Sequence, residues 1–254
     1  MMSTPSKRQL RELEELVVDA WPAAETVELA GWLLRASGGP TRRGNSVATL
    51  EFDAAQTLEQ AVAEVESWYA ARGQKAVFQL GPCVQPKDLD AFLAERGYRK
   101  EGAAAFAVAD PGEVAARTRT QLAARLTAKP DAAWLALCGA GRFATDLASF
   151  QGFLRRLGSR CRFASVLDEH GAPWAACLGI ASEDRLGVYA MLTLPEARRR
   201  GAARALLHAL AESARGEAMR ELYLLVELDN PPARALYKEA GFADVYEYSY
   251  RVQP

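Results

Sequence analysis

The sequence predicts an α/β protein of layered mixed sheets, built as two similar halves in tandem. Three observations carry that expectation. Apolar runs of strand length alternate along the chain with stretches of helical periodicity. Half of the 254 residues are hydrophobic and a quarter are charged, enough for two modest cores. The two halves also end alike: Phe92-Leu93-Ala94-Glu95-Arg96-Gly97-Tyr98 lies over Leu236-Tyr237-Lys238-Glu239-Ala240-Gly241-Phe242. In both, a helix closes on a glycine, which takes the left-handed backbone a helix end needs, and an aromatic residue leads into a strand.

In order, the first half reads as a helix with Leu10, Leu13, Leu16 and Val17 on one face, then strands at Glu28–Ala36 and Asn45–Phe52. A helix from Thr57 to about Arg72, a strand at Ala76–Leu80, a helix at Pro86–Arg96 and a strand at Ala103–Ala109 complete it. The charged, alanine-rich stretch from Asp110 to Pro130 is the expected linker, with Val114–Leu126 open to helix. The second half reads as a strand at Ala132–Cys138 and a helix at Phe143–Leu157. A hairpin follows, Cys161–Leu167 with Trp174–Ala181, turned by Asp168-Glu169-His170-Gly171. Then come a strand at Gly187–Leu194, a helix at Ala202–Arg215, a strand at Glu221–Glu227, a helix at Pro231–Ala240 and a last strand at Phe242–Arg251. The expected division is 1–110, a linker at 111–130, and 131–254.

Charge and cysteine usage narrow the function. Lys+Arg 31 against Asp+Glu 32 leaves a net charge of -1, so nothing draws the whole chain to nucleic acid or an anionic membrane. The four cysteines form no C-x-x-C pair and only two histidines accompany them, which predicts neither a disulfide framework nor a metal site. Charges interrupt every apolar stretch at the N-terminus and no later run has membrane-spanning length, so the expected compartment is a reducing cytoplasm.

The most informative stretch is Met191-Leu192-Thr193-Leu194-Pro195-Glu196-Ala197-Arg198-Arg199-Arg200-Gly201-Ala202-Ala203-Arg204. An apolar strand ends at Pro195, a basic turn follows, and an amphipathic helix opens at once. Free N–H groups and the dipole at such a helix start can hold a pyrophosphate, small residues at 201–203 permit close approach, and the arginines add charge. Downstream, Asn230 is a good N-cap and Pro231 suits the first helical position. A phenol at Tyr237 keeps its proton at neutral pH and can donate it to a leaving thiolate; a core aromatic is the competing reading.

These two stretches resemble the GNAT superfamily of N-acetyltransferases. Arg198, Gly201 and Ala203 match its Arg/Gln-x-x-Gly-x-Gly/Ala loop, and Asn230, Ala233, Tyr237, Gly241 and Phe242 fill its Asn-x-x-Ala-x-x-x-Tyr-x-x-x-Gly-Phe pattern. The resemblance implies two GNAT-like mixed-sheet domains in tandem, the second being the working copy. It implies acetyl-CoA as acyl donor, with the diphosphate on residues 198–204 and the arm paired to main chain at Met191, Leu192 and Thr193, in a fork between two strands. Asn230 and Ala233 would complete the cofactor site, a backbone N–H near Thr193 or Leu194 would face the oxyanion, and Tyr237 would be the proton donor. For the general base, Glu227, Glu183 and Asp184 are the acids to hand, and water is the alternative; His170 and His208 read as structural.

The first half lacks these devices. Its corresponding loop, Phe52–Glu59, has no glycine, no arginine and two acids, and Leu93 stands in the slot of Tyr237. It is expected not to bind coenzyme A. Thr41–Ser46 reads as a turn before a strand, and Trp32 as core rather than acceptor pocket. The expected activity is acyl transfer from the thioester directly to an amine, on a small molecule or a peptide; the alternative is an acyl-CoA sensor without turnover. A homodimer is left open as a partner state; nucleic acid and membrane are not expected.

Overall fold

The computed structural model describes residues 5–38, 41–140 and 146–254. They form two compact units, one of residues 1–105 with 246–254 and the other of 106–245. Relative to the expected division, the last strand belongs mostly to the first unit, and residues 111–130 belong to the second.

In the first unit, α1 (Lys7–Asp19) precedes β1 (Glu25–Leu29), β2 (Trp32–Ala36), β3 (Val47–Ala48), α2 (Leu58–Ala70), β4 (Val77–Leu80), α3 (Leu89–Glu95) and β5 (Arg99–Ala109), whose last four residues lie in the second unit. In the second, α4 (Pro111–Arg117), β6 (Arg125–Thr127), α5 (Ala132–Ala140), α6 (Leu147–Leu157), β7 (Cys161–Leu167), β8 (Pro173–Ser182) and β9 (Arg185–Thr193) lead to α7 (Ala202–Gly216), β10 (Glu221–Glu227), α8 (Pro231–Glu239) and β11 (Ala243–Val252).

The same wiring recurs. β1, β2 and β3 run antiparallel in turn, and β3 pairs with β4 in parallel across the α2 crossover. β7, β8 and β9 repeat the meander, and β9 pairs with β10 in parallel across α7. A parallel pair cannot be closed by a tight turn, so the crossover helix is obligatory in both. The helix ends agree down to single bonds: Tyr98 N–H donates to Leu93 C=O at 3.0 Å and Phe242 N–H to Tyr237 C=O at 3.0 Å. Gly97 and Gly241 supply the left-handed step, at φ of +82° and +103°. Sheet order is β1-β2-β3-β4-β11 in the first unit and β10-β9-β8-β7-β6 in the second.

Core packing follows from the strand faces. In the first unit Leu34, Val47, Phe78 and Trp32 meet Val62, Val65 and Tyr69 of α2 and Leu89 and Leu93 of α3, all fully buried. In the second, α7 lays Leu206, Leu207 and Leu210 against a sheet carrying Leu178, Leu186, Leu222 and Leu224. Gly179 makes room there, since a Cβ on it would stand 2.8 Å from Leu210. Trp134 of α5 stacks with Phe150 and donates its indole N–H to Ala164 C=O at 3.1 Å.

Four sequence expectations are corrected. Ala132–Cys138 is helix within α5, not strand: a short apolar run carries no clear period, and alanine-rich segments prefer helix. Glu28–Ala36 is not one strand but contributes to the hairpin β1–β2, turned at Ala30 and Gly31, both at positive φ. Asn45–Phe52 is strand only at Val47–Ala48. The stretch 110–130 is not a bare linker, since it contributes α4 and β6, with Asp110 capping Glu113 N–H at 2.8 Å. The expected start of α6 at Phe143 lies outside the described residues.

Two predictions follow from the packing. Gly97→Ala has room, its Cβ meeting only Pro254 at 3.5 Å, so it costs the left-handed strain alone, about 1 kcal/mol. Gly187→Ala forces a Cβ to 2.5 Å from the rings of Tyr189 and Tyr223 and costs more than about 2 kcal/mol; urea denaturation of both variants ranks them. All four cysteines are buried, and burial pushes the Cys138 thiol up to about 12, Cys161 up to about 11 and Cys177 upward as well. Ellman's reagent at pH 8 is therefore expected to label the native chain only at the rate of unfolding.

Candidate active site

The parallel pair of the second unit holds together only at one end. β9 and β10 are in register over Arg185↔Glu221 to Val188↔Leu224, and beyond that Tyr189–Thr193 have no partner on β10. The parting begins where β9 carries a bulge: three steps from Tyr189 to Leu192 face two from Leu178 to Ala176, and Ala190 sits at φ +48°. An extra residue bends a strand and re-aims its edge. The result is a fork whose β9 prong shows main-chain groups to an empty side, at the carboxyl ends of two parallel strands.

The loop from that prong runs straight into α7. Pro195–Ala197 form a single tight turn, Arg199 takes φ +61° and Gly201 φ +85°. The left-handed steps at Arg199 and Gly201, after an extended Arg198, bend the loop into the helix start, the kind of turn in which main-chain nests occur. Gly201 is the N-cap of α7, and no side chain caps the helix. The first internal bond is Ala205 N–H to Gly201 C=O at 3.0 Å, which leaves the amides ahead of it without a helical acceptor. Ala202 is buried and Ala203 half-buried, while Arg198, Arg199, Arg200 and Arg204 are exposed around them.

The arginines are not equivalent. Arg200 lies over the Trp174 ring of β8 at 4.3 Å, a cation–π contact. Arg204 points elsewhere, donating to Arg117 C=O at 2.5 Å at the end of α4. The oxyanion donor also needs correction: Leu194 N–H is given to Trp174 C=O at 2.9 Å and is not available. Ala190 and Met191, in the bulge, have no register partner on β8 or β10.

α8 starts at the end of the second prong. Asn230 accepts from Ala233 N–H at 3.2 Å, so its side-chain oxygen serves the helix. Glu227 is exposed at the last position of β10, and its C=O receives Asn230 N–H at 3.2 Å. Tyr237, two turns on, is half-buried as a residue, yet its ring is packed edge-on to Phe242 at 5.8 Å and its phenol is desolvated. Burial raises the phenol pKa, and Cys177 nearby raises it further. Cys177 lies on β8 between Ala176 and Leu178, the step opposite the bulge, so the phenol reaches the level at which the fork opens. Among the described residues its hydroxyl has no hydrogen-bond partner.

The remaining candidates fall away from this point. Asp184 pairs with Arg220 at 3.0 Å and, with Glu183, turns the chain into β9 at its start, roughly 25 Å of strand from Thr193. His208 contacts Ala115 C=O at 3.0 Å and His170 sits in the β7–β8 turn. Among the described residues no cluster of His, Cys, Asp or Glu could hold a metal ion, and no helix is long and apolar enough to cross a membrane. The bulge and the Trp174–Arg200 contact went unread in the sequence, since neither has a local pattern.

The corresponding helix start in the first unit is closed. Thr57 accepts from Gln60 N–H at 3.3 Å and Gln60 returns a bond to Thr57 N–H at 3.1 Å, a capping box that uses the amides an anion would need. Trp32 is fully buried and donates to Gln85 C=O at 2.8 Å. Asn45 ties the 41–46 turn to Ser37 N–H at 2.8 Å, and Arg42 is held by Glu101 at 2.5 Å.

Known proteins share this arrangement. "Uncharacterized N-acetyltransferase YobR" of Bacillus subtilis is 26% identical over 261 residues, covering 96% of this chain and 98% of its own. A "GCN5-related N-acetyltransferase from Kribbella flavida" superposes with a TM-score of 0.71 at 16% identity, over 96% of this chain and 95% of that one. A "Tandem GNAT protein from the clavulanic acid biosynthesis pathway" does so at 0.64 and 15%, over 99% and 91%. The family model described as "Probable histone acetyltransferase Rv0428c C-terminal" matches residues 7–251. The chain therefore belongs to that family and is an N-acetyltransferase of the GNAT superfamily, with the tandem fold.

Proposed function

We propose that the second unit transfers the acetyl group of acetyl-CoA directly to an amine of a small molecule or peptide. The observation that carries this reading is the uncapped start of α7: Gly201 offers no side chain, Arg199 and Gly201 turn the amides one way, and the helix dipole adds positive potential. Arg198, Arg199 and Arg200 add charge around the same point, and Ala202 and Ala203 leave it unobstructed. Arg204, held by Arg117, contributes at longer range. A diphosphate fits this donor set, and an amide-bearing arm fits the free edge of Met191, Leu192 and Thr193. Acetyl-CoA brings the activated acyl group; the chain's part is to hold, orient and move protons.

Tyr237 is the proton donor to the departing thiolate. Its raised pKa keeps the hydroxyl protonated throughout the working range, and having no partner of its own it is free to donate. N–H groups of the bulge at Ala190 and Met191 face the acyl oxygen. Glu227, at the open end of β10, is on the correct edge of the sheet to receive the proton of the amine, directly or through water. Asn230 and Ala233 fix the start of α8 and with it the height of Tyr237 in the fork.

Tyr237→Phe is expected to lower kcat on the order of 10²-fold while changing the KM for acetyl-CoA by less than about twofold, read by thiol release over a panel of amines. Equal kcat would remove Tyr237 from the reaction. Gly201→Glu is expected to weaken acetyl-CoA binding by more than about 100-fold in calorimetry, because bulk and negative charge enter the nest. Parent-like affinity would place the diphosphate elsewhere.

A further inference from the structure

The first unit has a fork of its own. β3 and β4 pair over Val47↔Phe78 and Ala48↔Gln79; Thr49 C=O is still held by Gln85 N–H at 2.7 Å, and beyond it the two chains part, with Leu50–Phe52 on one prong and Gly81–Cys83 on the other. By the repeated wiring this is the counterpart of the opening between β9 and β10. Here a helix stands against both prongs. Arg11 of α1 donates to Leu50 C=O and pairs with Glu51 at 2.7 Å. Glu14, one turn on, accepts Cys83 N–H at 3.2 Å, and Lys7 C=O receives the Cys83 thiol at 3.8 Å. Lys7, Arg11 and Glu14 are spaced i, i+4, i+7, so a single face of α1 makes all three contacts. What α1 leaves of the fork is a cavity of about 320 Å³ between Lys7, Arg11, Leu50, Phe52, Cys83 and Gln85.

We propose that α1 is the built-in occupant of the first fork, using Arg11 and Glu14 to take the main-chain partners that an amide-bearing extended chain, such as a pantetheine arm, would take there. The contacts stand whether or not the second unit binds coenzyme A; only the comparison with an arm rests on that reading.

The hold is sensitive to protonation. Glu14 is 4% exposed, and burial pushes its carboxyl up to about 7, against the Cys83 N–H bond and the charges of Arg11 on its own helix and Lys87 on the following loop, which pull it down. Lys7 and the Cys83 thiol complete the titratable surroundings, while Glu15 and Glu51 are paired to Arg11. A docked carboxyl with a raised pKa keeps its proton where a released one loses it. Docking is therefore fully favoured below the ordinary carboxylate range, weakens as pH climbs toward 7, and is weakest above it. Gly81 is part of the seat, since a Cβ on it would stand 2.2 Å from Glu14 Oε1 and drive the carboxyl out.

Amide exchange at Cys83, followed by NMR on the full chain with no coenzyme present, tests the proposal. Glu14→Ala and Gly81→Ala are expected to speed Cys83 exchange at least about tenfold. After correction for intrinsic base catalysis, opening in the parent is expected to rise from pH 5 to 8, and Glu14→Gln, which keeps the acceptor and loses the charge, to remain flat. Arg11→Ala/Glu14→Ala is expected to gain saturable binding of free pantetheine, seen as shifts of the Leu50 and Cys83 amides, which the parent lacks. Parent-like Cys83 protection in both single variants, an opening without pH dependence in the parent, or an emptied fork that ignores pantetheine would each overturn it.

Discussion

A helix that begins without a side-chain cap leaves amide donors that something else must satisfy, and the function proposed for this protein depends on α7 beginning that way. At Gly201 there is no oxygen to turn back on the first turn, whereas Thr57 and Gln60 satisfy two of the donors at the start of α2. Both helices cross over a parallel strand pair, and both are preceded by a meander of the same sense. One step, the presence or absence of a cap, separates the anion site proposed at α7 from an ordinary helix start. The arginines around Gly201 reinforce the difference without creating it, since charge on exposed side chains is screened and oriented amides are not free to turn away.

The sequence carried the second half of the fold better than the first. Glu221–Glu227 was legible to the residue because an apolar run of strand length lies between a helix and a capping Asn-Pro. The ends of α3 and α8 were legible because only glycine takes the backbone found at Gly97 and Gly241. Ala132–Cys138 was not, because seven mostly apolar residues satisfy strand and buried helix equally well and the decision falls to packing, here Trp134 against Phe150 and Phe163. At the site, Gly201, Asn230 and Tyr237 stand in motifs with fixed spacing. The bulge at Ala190 does not, because nothing in Tyr-Ala-Met-Leu announces an extra residue; it exists only relative to β8.

Forked parallel strands set a common problem for both units. Where two strands part, main-chain groups lose their ladder partners, and a buried one without a substitute costs about 1–3 kcal/mol. In the second unit the β9 edge from Tyr189 to Thr193 has no partner on β10, and it is the edge to which the proposed function assigns an incoming arm. In the first, α1 stands at the prongs with Arg11 and Glu14. On the proposed reading, a copy without a ligand still has to fill the space between its prongs, and a neighbouring helix with one cation and one carboxyl does so.

The placement of β11 bears on how such a chain is made. Ser249 to Val252 pair with Val77 to Leu80, so the sheet of the first unit is completed by residues 169 to 175 positions further along. On the ribosome the early part must wait, with one flank of β4 bare, until residues 249–252 have emerged. A nascent chain in that interval exposes a ready template for wrong pairing, and deleting residues 249–252 would injure the unit that was synthesised first.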